Sequence, residues 1–276
     1  MMHRWRCTHC SFLMWSDDRH PMEDAVKTHL LSHHVGRLTK SDFRITWDCP
    51  YCQRKKTNYD KAEAISEFKS HLYGHVKPSV HEDTHIGKRL GWNGNLQINT
   101  PTESREADTL RSHFHSHADL VVMITANPGA RLQLLHDELT GWPTRAVVVS
   151  TSADPFDSTP DLDFSGNAME LVELDTRLGP NDVGETVSRI LDVHHAEGMR
   201  VSVEVDIMNE LIRSFDLQTS VDFVRMLASR LDEVDGVFQL YVDPNAHRNI
   251  STVLNFLESE FDMTIRASQQ QIIRTN

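Results

Sequence analysis

Residues 119–135 read "DLVVMITANPGARLQLL", an apolar run, a Pro-Gly turn and then the opening of a helical pattern. Strand, glycine turn and helix form the layout on which many proteins hold a nucleotide phosphate, because amides at a helix N-terminus point at the anion. A working loop of this kind reads G-x4-G-K-[ST]. Its glycines let amides converge, its lysine meets the β- and γ-phosphates, and its hydroxyl binds magnesium. Here Gly129 is the glycine that remains, and Leu132 and Gln133 stand where the hydroxyl belongs. Arg131 offers charge without the reach and point geometry of lysine. Lys88 is the last lysine in the chain, so none follows that could substitute. The turn is therefore expected to be structural, without ATP hydrolysis.

Outward from this loop the pattern alternates. Apolar runs occur at "RAVVVS", "MELVEL", "RVSVEVD", "GVFQLYV" and "MTIRA". Between several of them lie helical periodicities: Val187, Ile190, Leu191; Val224, Leu227, Ala228, Leu231; and Ile250, Val253, Leu254, Leu257. Strands without alternation, separated by amphipathic helices, predict a mostly parallel sheet covered on both faces. The expected domain is 118–276, of α/β class. Ser150, Ser152 and Asp154 with a distant histidine suggest a hydrolase, but no G-x-S-x-G elbow accompanies them. His194, His195 and His247 read as surface or capping residues of helices.

Three segments carry a resemblance. They are "RLGPNDVGETVSRIL", "RVSVEVDIMNELI" and "DFVRMLASRLDEVDGVFQLYVDPNAHRNISTVLNFLESEFDMTI". Together they resemble the degenerate RecA/KaiC-like domains of halophilic archaea, over roughly residues 115–270. The most specific part is an acidic helix, "DG", a strand ending "DP", and "AH" opening the next helix. The resemblance implies a RecA-like mostly parallel sheet flanked by helices, with Ala126 to Arg131 at the phosphate-loop position. It also implies that Asp206 ends the Walker B strand. The catalytic glutamates of KaiC-type domains are absent after the second strand, where "VVVSTSADP" offers only Asp154.

The front of the chain carries a different signal. All four cysteines lie in the first 52 residues. Trp5-x-Cys7-x2-Cys10 is followed after 18 residues by His29-x3-His33, and Trp47-x-Cys49-x2-Cys52 after 18 residues by His71-x3-His75. The second copy is offset by 42 residues at each of these positions, and Val26/Phe68 and Leu30/Leu72 correspond as well. Two thiolates on a tight knuckle and two imidazoles one helical turn apart close a tetrahedron around zinc. "PMEDAVKTHLLSHH" and "DKAEAISEFKSHLYGH" are suited to helices. Units of about 40 residues bury little core, so two zinc ions are expected to supply stability.

These repeats resemble tandem two-Cys, two-His zinc fingers, which implies two small zinc-stabilised ββα-type fingers, at 1–38 and 39–78. The gap of 18 residues exceeds the usual 12 or so, which predicts an enlarged hairpin or turn. His34 competes with His33 as fourth ligand, and the match to the second copy favours His33. With the first histidine counted as helix position 7, base-facing positions −1, 3 and 6 would be Met22, Ala25 and Thr28, then Ala64, Glu67 and Ser70. These types make no bidentate base contacts. "QRKK" (Gln53 to Lys56), Lys61 and Lys69 nonetheless give the second repeat a basic face.

Charge divides the chain. Residues 1–90 hold 15 Lys and Arg against 11 Asp and Glu, and residues 91–276 hold 13 against 29. The acidic back would repel phosphate and is a poor nucleic-acid surface. Paired cysteines point to metal or redox chemistry rather than a disulfide framework. The absence of an apolar leader or a long apolar stretch predicts a cytoplasmic protein without a membrane span. Residues 79–117 read as a polar linker or arm, in which "HFHSH" would place His113, His115 and His117 on one face of a strand.

The reading that follows is a non-enzymatic, zinc-binding regulator that contacts DNA or RNA through residues 1–90. Its C-terminal domain would be a pseudo-ATPase serving assembly with itself or a protein partner. A protein-interaction adaptor and a nucleotide sensor without hydrolysis are the alternatives.

Overall fold

The computed structural model describes residues 2–34, 38–82, 85–150, 162–175 and 179–275. Ser152 and Asp154, and the side chain of His34, lie outside what is described. The chain forms two compact units, Met1–Thr84 with Gln269–Ile273, and His85–Ser268 with Arg274–Asn276. The boundary falls a few residues before Lys88, close to where the charge changes sign.

In the first unit each Cys/His repeat is two strands followed by a helix. The first runs β1 (His3–Arg6), β2 (Leu13–Ser16) and α1 (Arg19–His34). A further strand, β3 (Leu38–Ser41), then leads to β4 (Arg44–Asp48), β5 (Lys55–Asn58) and α2 (Lys61–Val76). β1 and β2 pair antiparallel, as do β3 with β4 and β4 with β5. The strand Gln271–Arg274 pairs antiparallel with β2 through Ile272 and Ile273, so residues near the C-terminus complete this unit. That segment lay inside the expected 118–276 domain, and its four residues were too short to carry a periodicity of their own.

Helices explain the long Cys–His gap. α1 begins ten residues before His29 and α2 ten before His71, so the extra length lies mainly at the helix N-termini. The hairpins stay tight: Cys7 N–H donates to Phe12 O and Cys49 N–H to Arg54 O, both at 2.9 Å. The enlarged hairpin expected from the sequence is thus corrected. The two repeats also share one core. Trp5, Met22, Val26 and Leu30 from the first join Trp47, Ala64, Phe68 and Leu72 from the second in one buried cluster.

The second unit begins with α3 (Ile86–Arg89), β6 (Gly94–Asn99) and α4 (Arg105–His115). It continues through β7 (Leu120–Ile124), α5 (Pro128–Asp137), β8 (Arg145–Ser150), β9 (Met169–Glu173) and α6 (Pro180–His194). It ends with β10 (Val201–Val205), α7 (Met208–Ser214), α8 (Leu217–Asp232), β11 (Val237–Val242), α9 (Ile250–Phe256) and β12 (Met263–Ser268). Its strands lie in the order β12-β6-β11-β10-β7-β8-β9, and each of these neighbouring pairs is parallel. The expected α/β class with a large, mostly parallel sheet flanked by helices is therefore observed.

The expected linker at 79–117 is not one. Residues 79–82 fold back on β1, where Arg4 and His81 exchange backbone bonds of 2.8 and 2.9 Å. β6 lies between β12 and β11, and α4 packs on the sheet. Composition hid both elements because their buried faces carry polar groups: Asn95 and Gln97 on β6, Arg111 and His115 on α4.

The two sheet faces differ. Val122, Val147, Val203 and Phe238 point into an apolar layer with α6, α7, α8 and α9. Gly184 makes room there, since a Cβ would sit 1.7 Å from Met226 Cε. Opposite, Val121, Met123, Ala146 and Val148 meet Leu132 and Leu135 of α5, while Ser202, Glu204, Gln239 and Tyr241 are buried on β10 and β11.

Candidate functional site

The four candidate ligands of the second repeat converge. One ligand atom each from Cys49, Cys52, His71 and His75 lies within 4.8 Å of the others. Cys52 Sγ is 3.4 Å from His71 Nε2, Cys49 Sγ is 3.4 Å from His75 Nε2, and the two Nε2 atoms are 3.3 Å apart. Zinc bonds of about 2.3 Å to sulfur and 2.0–2.1 Å to nitrogen give tetrahedral edges of roughly 3.5 and 3.4 Å. The residues fit such an ion. Burial pushes the Cys49 thiol up, and Tyr51 N–H, donating to Cys49 Sγ at 3.4 Å, offsets part of that from the knuckle. Burial and the neighbouring His75 push His71 below its ordinary value, favouring the neutral imidazole that binds metal.

In the first repeat Cys7, Cys10 and His29 converge in the same way, with Cys10 Sγ 3.4 Å from His29 Nε2. His33 is not brought within that group; its ring stacks on His29 with centroids 5.0 Å apart. His9 and Phe12 donate their N–H groups to Cys7 and Cys10 sulfurs at 3.4 Å. Aromatic packing holds the imidazoles: Phe12 stacks on His29 at 3.9 Å and Trp47 tilts against His71 at 5.3 Å.

Half of the helix positions expected to face bases are buried. Met22, Ala25 and Ala64 lie in the shared core, and only Thr28, Glu67 and Ser70 keep access to solvent. Glu67 is itself engaged by Lys56 and by Asn58 Nδ2 at 3.0 Å. The longer helix N-termini turn that face inward. A groove of about 410 Å³ remains beside the second Cys/His cluster, lined by Trp47, Arg54, Lys56, Ser66, Glu67, Ser70 and His71.

The strand-to-helix turn of the second unit is closed by its own residues. Asn127 caps α5 by accepting from Ala130 N–H, and Pro128 opens the helix. Arg131, fully buried, points inward: Nη2 lies 2.7 Å from Glu103, Nη1 2.9 Å from Asp108 and Nε 3.3 Å from Asp206. Arg111 joins it, with contacts of 2.9 Å to Glu204 and 3.2 Å to Asp206. Asp206 also accepts from Thr125 Oγ1 at 3.0 Å and from Ala126 N–H at 3.3 Å. The chain continues through His115, 2.8 Å from Glu204, to Ser202, Gln239 and Tyr241.

Burial and the neighbouring Glu204 raise Asp206 to about 6. Burial acts to raise Glu204 too, but Arg111, His115 and Arg131 outweigh it and hold this carboxylate at about 2. Two guanidiniums facing four carboxylates leave no free positive charge for a phosphate. An apolar cavity of about 210 Å³ between Ile124, Val149, Ile207 and Leu211 also shows no converging cation among the described residues, and its rim carries exposed Glu210.

Sequence reasoning missed Arg111 and Glu204, and it set His115 on a strand of a polar arm rather than on the buried side of α4. Their signal was present, since Glu204 interrupts "VSVEV" and Arg111 and His115 stand four apart, but buried charge is rare enough to be read as surface. His113 and His117 lie at the end of α4 and beyond it, not on a strand. His113 O accepts from His85 Nε2 at 2.7 Å, and Gly87 and Ile86 N–H donate to the rings of His85 and His113.

The protein joins a unit whose Cys/His groups could hold metal ions to a parallel α/β unit whose turn after β7 is closed by buried ion pairs. The chain belongs to the family of unknown function DUF7504, which matches residues 96–267. No curated protein matches it. A solved chain from Pyrococcus horikoshii OT3, titled only as a structural study of a project target, is similar at 12% identity. That match spans 69% of this chain and 91% of the other, with a TM-score of 0.45, a likeness too low to carry an argument. Among the described residues no helix is long and apolar enough to cross a membrane.

Proposed function

We propose that the chain is a non-enzymatic regulator in which two zinc ions fold the N-terminal unit as a nucleic-acid contact module. The C-terminal unit would be a RecA/KaiC-like domain without catalytic parts. The observation that carries this reading is the four-ligand cluster of Cys49, Cys52, His71 and His75, with Arg54 and the Glu67-paired Lys56 in the groove beside it. Folding of Arg131 onto Asp206 supports the non-catalytic half. In that unit Arg131 holds a position where a nucleotide-binding protein would present charge to solvent.

Zinc, when bound, would stabilise the paired thiolates and tie each knuckle to its helix. The fitting residues are Cys7, Cys10 and His29 in one repeat, with His33 proposed to move in as fourth ligand, and Cys49, Cys52, His71 and His75 in the other. A protein-interaction adaptor is the second reading, favoured by burial of Met22, Ala25 and Ala64, which withdraws the usual base-reading positions.

Titrating the full-length, zinc-loaded chain into labelled DNA and RNA across a salt series tests the proposal. Binding at low salt that weakens steeply as salt rises is expected. No binding at low salt would leave the adaptor reading.

A further inference from the structure

The outer face of the three-stranded sheet β3–β4–β5 has no partner among the described residues. Strand alternation decides which side chains it carries. Ile45 and Trp47 are buried toward α2, so Arg44, Thr46 and Asp48 point outward. The register pairs Thr46 with Thr57 and Asp48 with Lys55, and by continuation sets Tyr59 opposite Arg44. On β3, Thr39 stands opposite Thr46 and Ser41 opposite Arg44. The result is a row of hydroxyls across the strands, with Thr46 and Thr57 Oγ1 atoms 3.0 Å apart, ending in an arginine and a tyrosine.

Two large aromatic side chains crown this end. Phe43, in the β3–β4 turn, is 86% exposed, and Tyr59, directly after β5, is 74% exposed. Leaving rings in water is costly unless something covers them. The charges around them favour one kind of cover. Arg44 on this face and Lys61 at the start of α2 are exposed, as is Asp42 in the turn. Nearby Asp60 is occupied in capping α2, and Asp48 lies 3.5 Å from Lys55. That leaves Arg44 as the charge on the face itself without a paired carboxylate across the strands.

We infer that this face, with Phe43 and Tyr59 as stacking platforms and Arg44, joined by Lys61 at the adjoining start of α2, as phosphate contacts, binds single-stranded nucleic acid. The inference rests on the nucleic-acid reading above and names its substrate class and surface. Unpaired bases offer both π-faces to exposed rings, whereas in a duplex those faces are already stacked. Hydroxyls such as Thr39, Thr46 and Thr57 serve base edges or sugar oxygens between the platforms.

The test is fluorescence anisotropy with the full-length, zinc-loaded chain, using a labelled 12-nucleotide oligothymidine, the matching oligouridine and a duplex of the same length. Single strands should bind more tightly than the duplex. Phe43→Ala and Tyr59→Ala should each weaken single-strand binding about tenfold, with zinc content unchanged. Arg44→Gln should lower the salt slope by about one. Equal binding of duplex and single strand, or variants indistinguishable from the parent, would overturn this surface while leaving nucleic-acid binding by the module intact. Absence of binding by every probe at low salt would overturn both and assign the face to a protein partner.

Discussion

Arg131 is where the molecule departs furthest from a nucleotide-binding protein. A guanidinium at a helix start would attract phosphate if it faced solvent, but this one is buried among Glu103, Asp108 and Asp206. Removing one member of a buried network leaves the other charges uncompensated. Arg131→Ala is therefore expected to destabilise the second unit by about 3–5 kcal/mol, read from denaturant unfolding, and an unchanged midpoint would contradict the network. A second residue-scale test concerns His85, where burial above all lowers the ring to about 4. A histidine held neutral in the fold contributes stability that is full above about 6.5 and is lost as pH falls from there toward 4. The stability advantage of the parent over His85→Gln should shrink across that window, and a constant difference would sink the assignment.

At the scale of elements, the two repeats act as one folding unit. Their helices pack together, Lys69 Nζ reaches Thr28 Oγ1 at 3.4 Å, and the tryptophans of both repeats lie in one core. Metal removal should therefore unfold both repeats together. A chelator titration followed by tryptophan fluorescence is expected to show one transition releasing both ions, and two separate transitions would show independent fingers. Legibility in the sequence tracked how apolar each element is. Runs such as "LVVMI" and "RAVVVS" announced β7 and β8, and the Cys/His spacing announced the ligand clusters. β6 and α4 were hidden because Gln97, Arg111 and His115 serve buried polar contacts, so neither period nor composition marked them. Spacing also could not reveal that the long Cys–His gap extends the helices. That extension is what buries Met22 and Ala64.

For the whole molecule, the division of charge and the division into units nearly coincide, near residue 85. The front unit is mildly basic and carries the Cys/His groups that could hold metal, whereas the α/β unit has no lysine after Lys88, so nucleic-acid contact is proposed for the front. Calorimetry with ATP and magnesium is accordingly expected to show no heat of binding, and a saturable signal would reopen the nucleotide-sensor reading. The proposal that zinc-organised repeats make the nucleic-acid contact is tested by anisotropy of a labelled single-stranded oligonucleotide, titrated with the full-length chain before and after zinc is removed and then restored. Salt-sensitive binding that disappears without zinc and returns with it is expected. Binding of equal strength in the zinc-free chain, or none in the zinc-loaded chain at low salt, would contradict it.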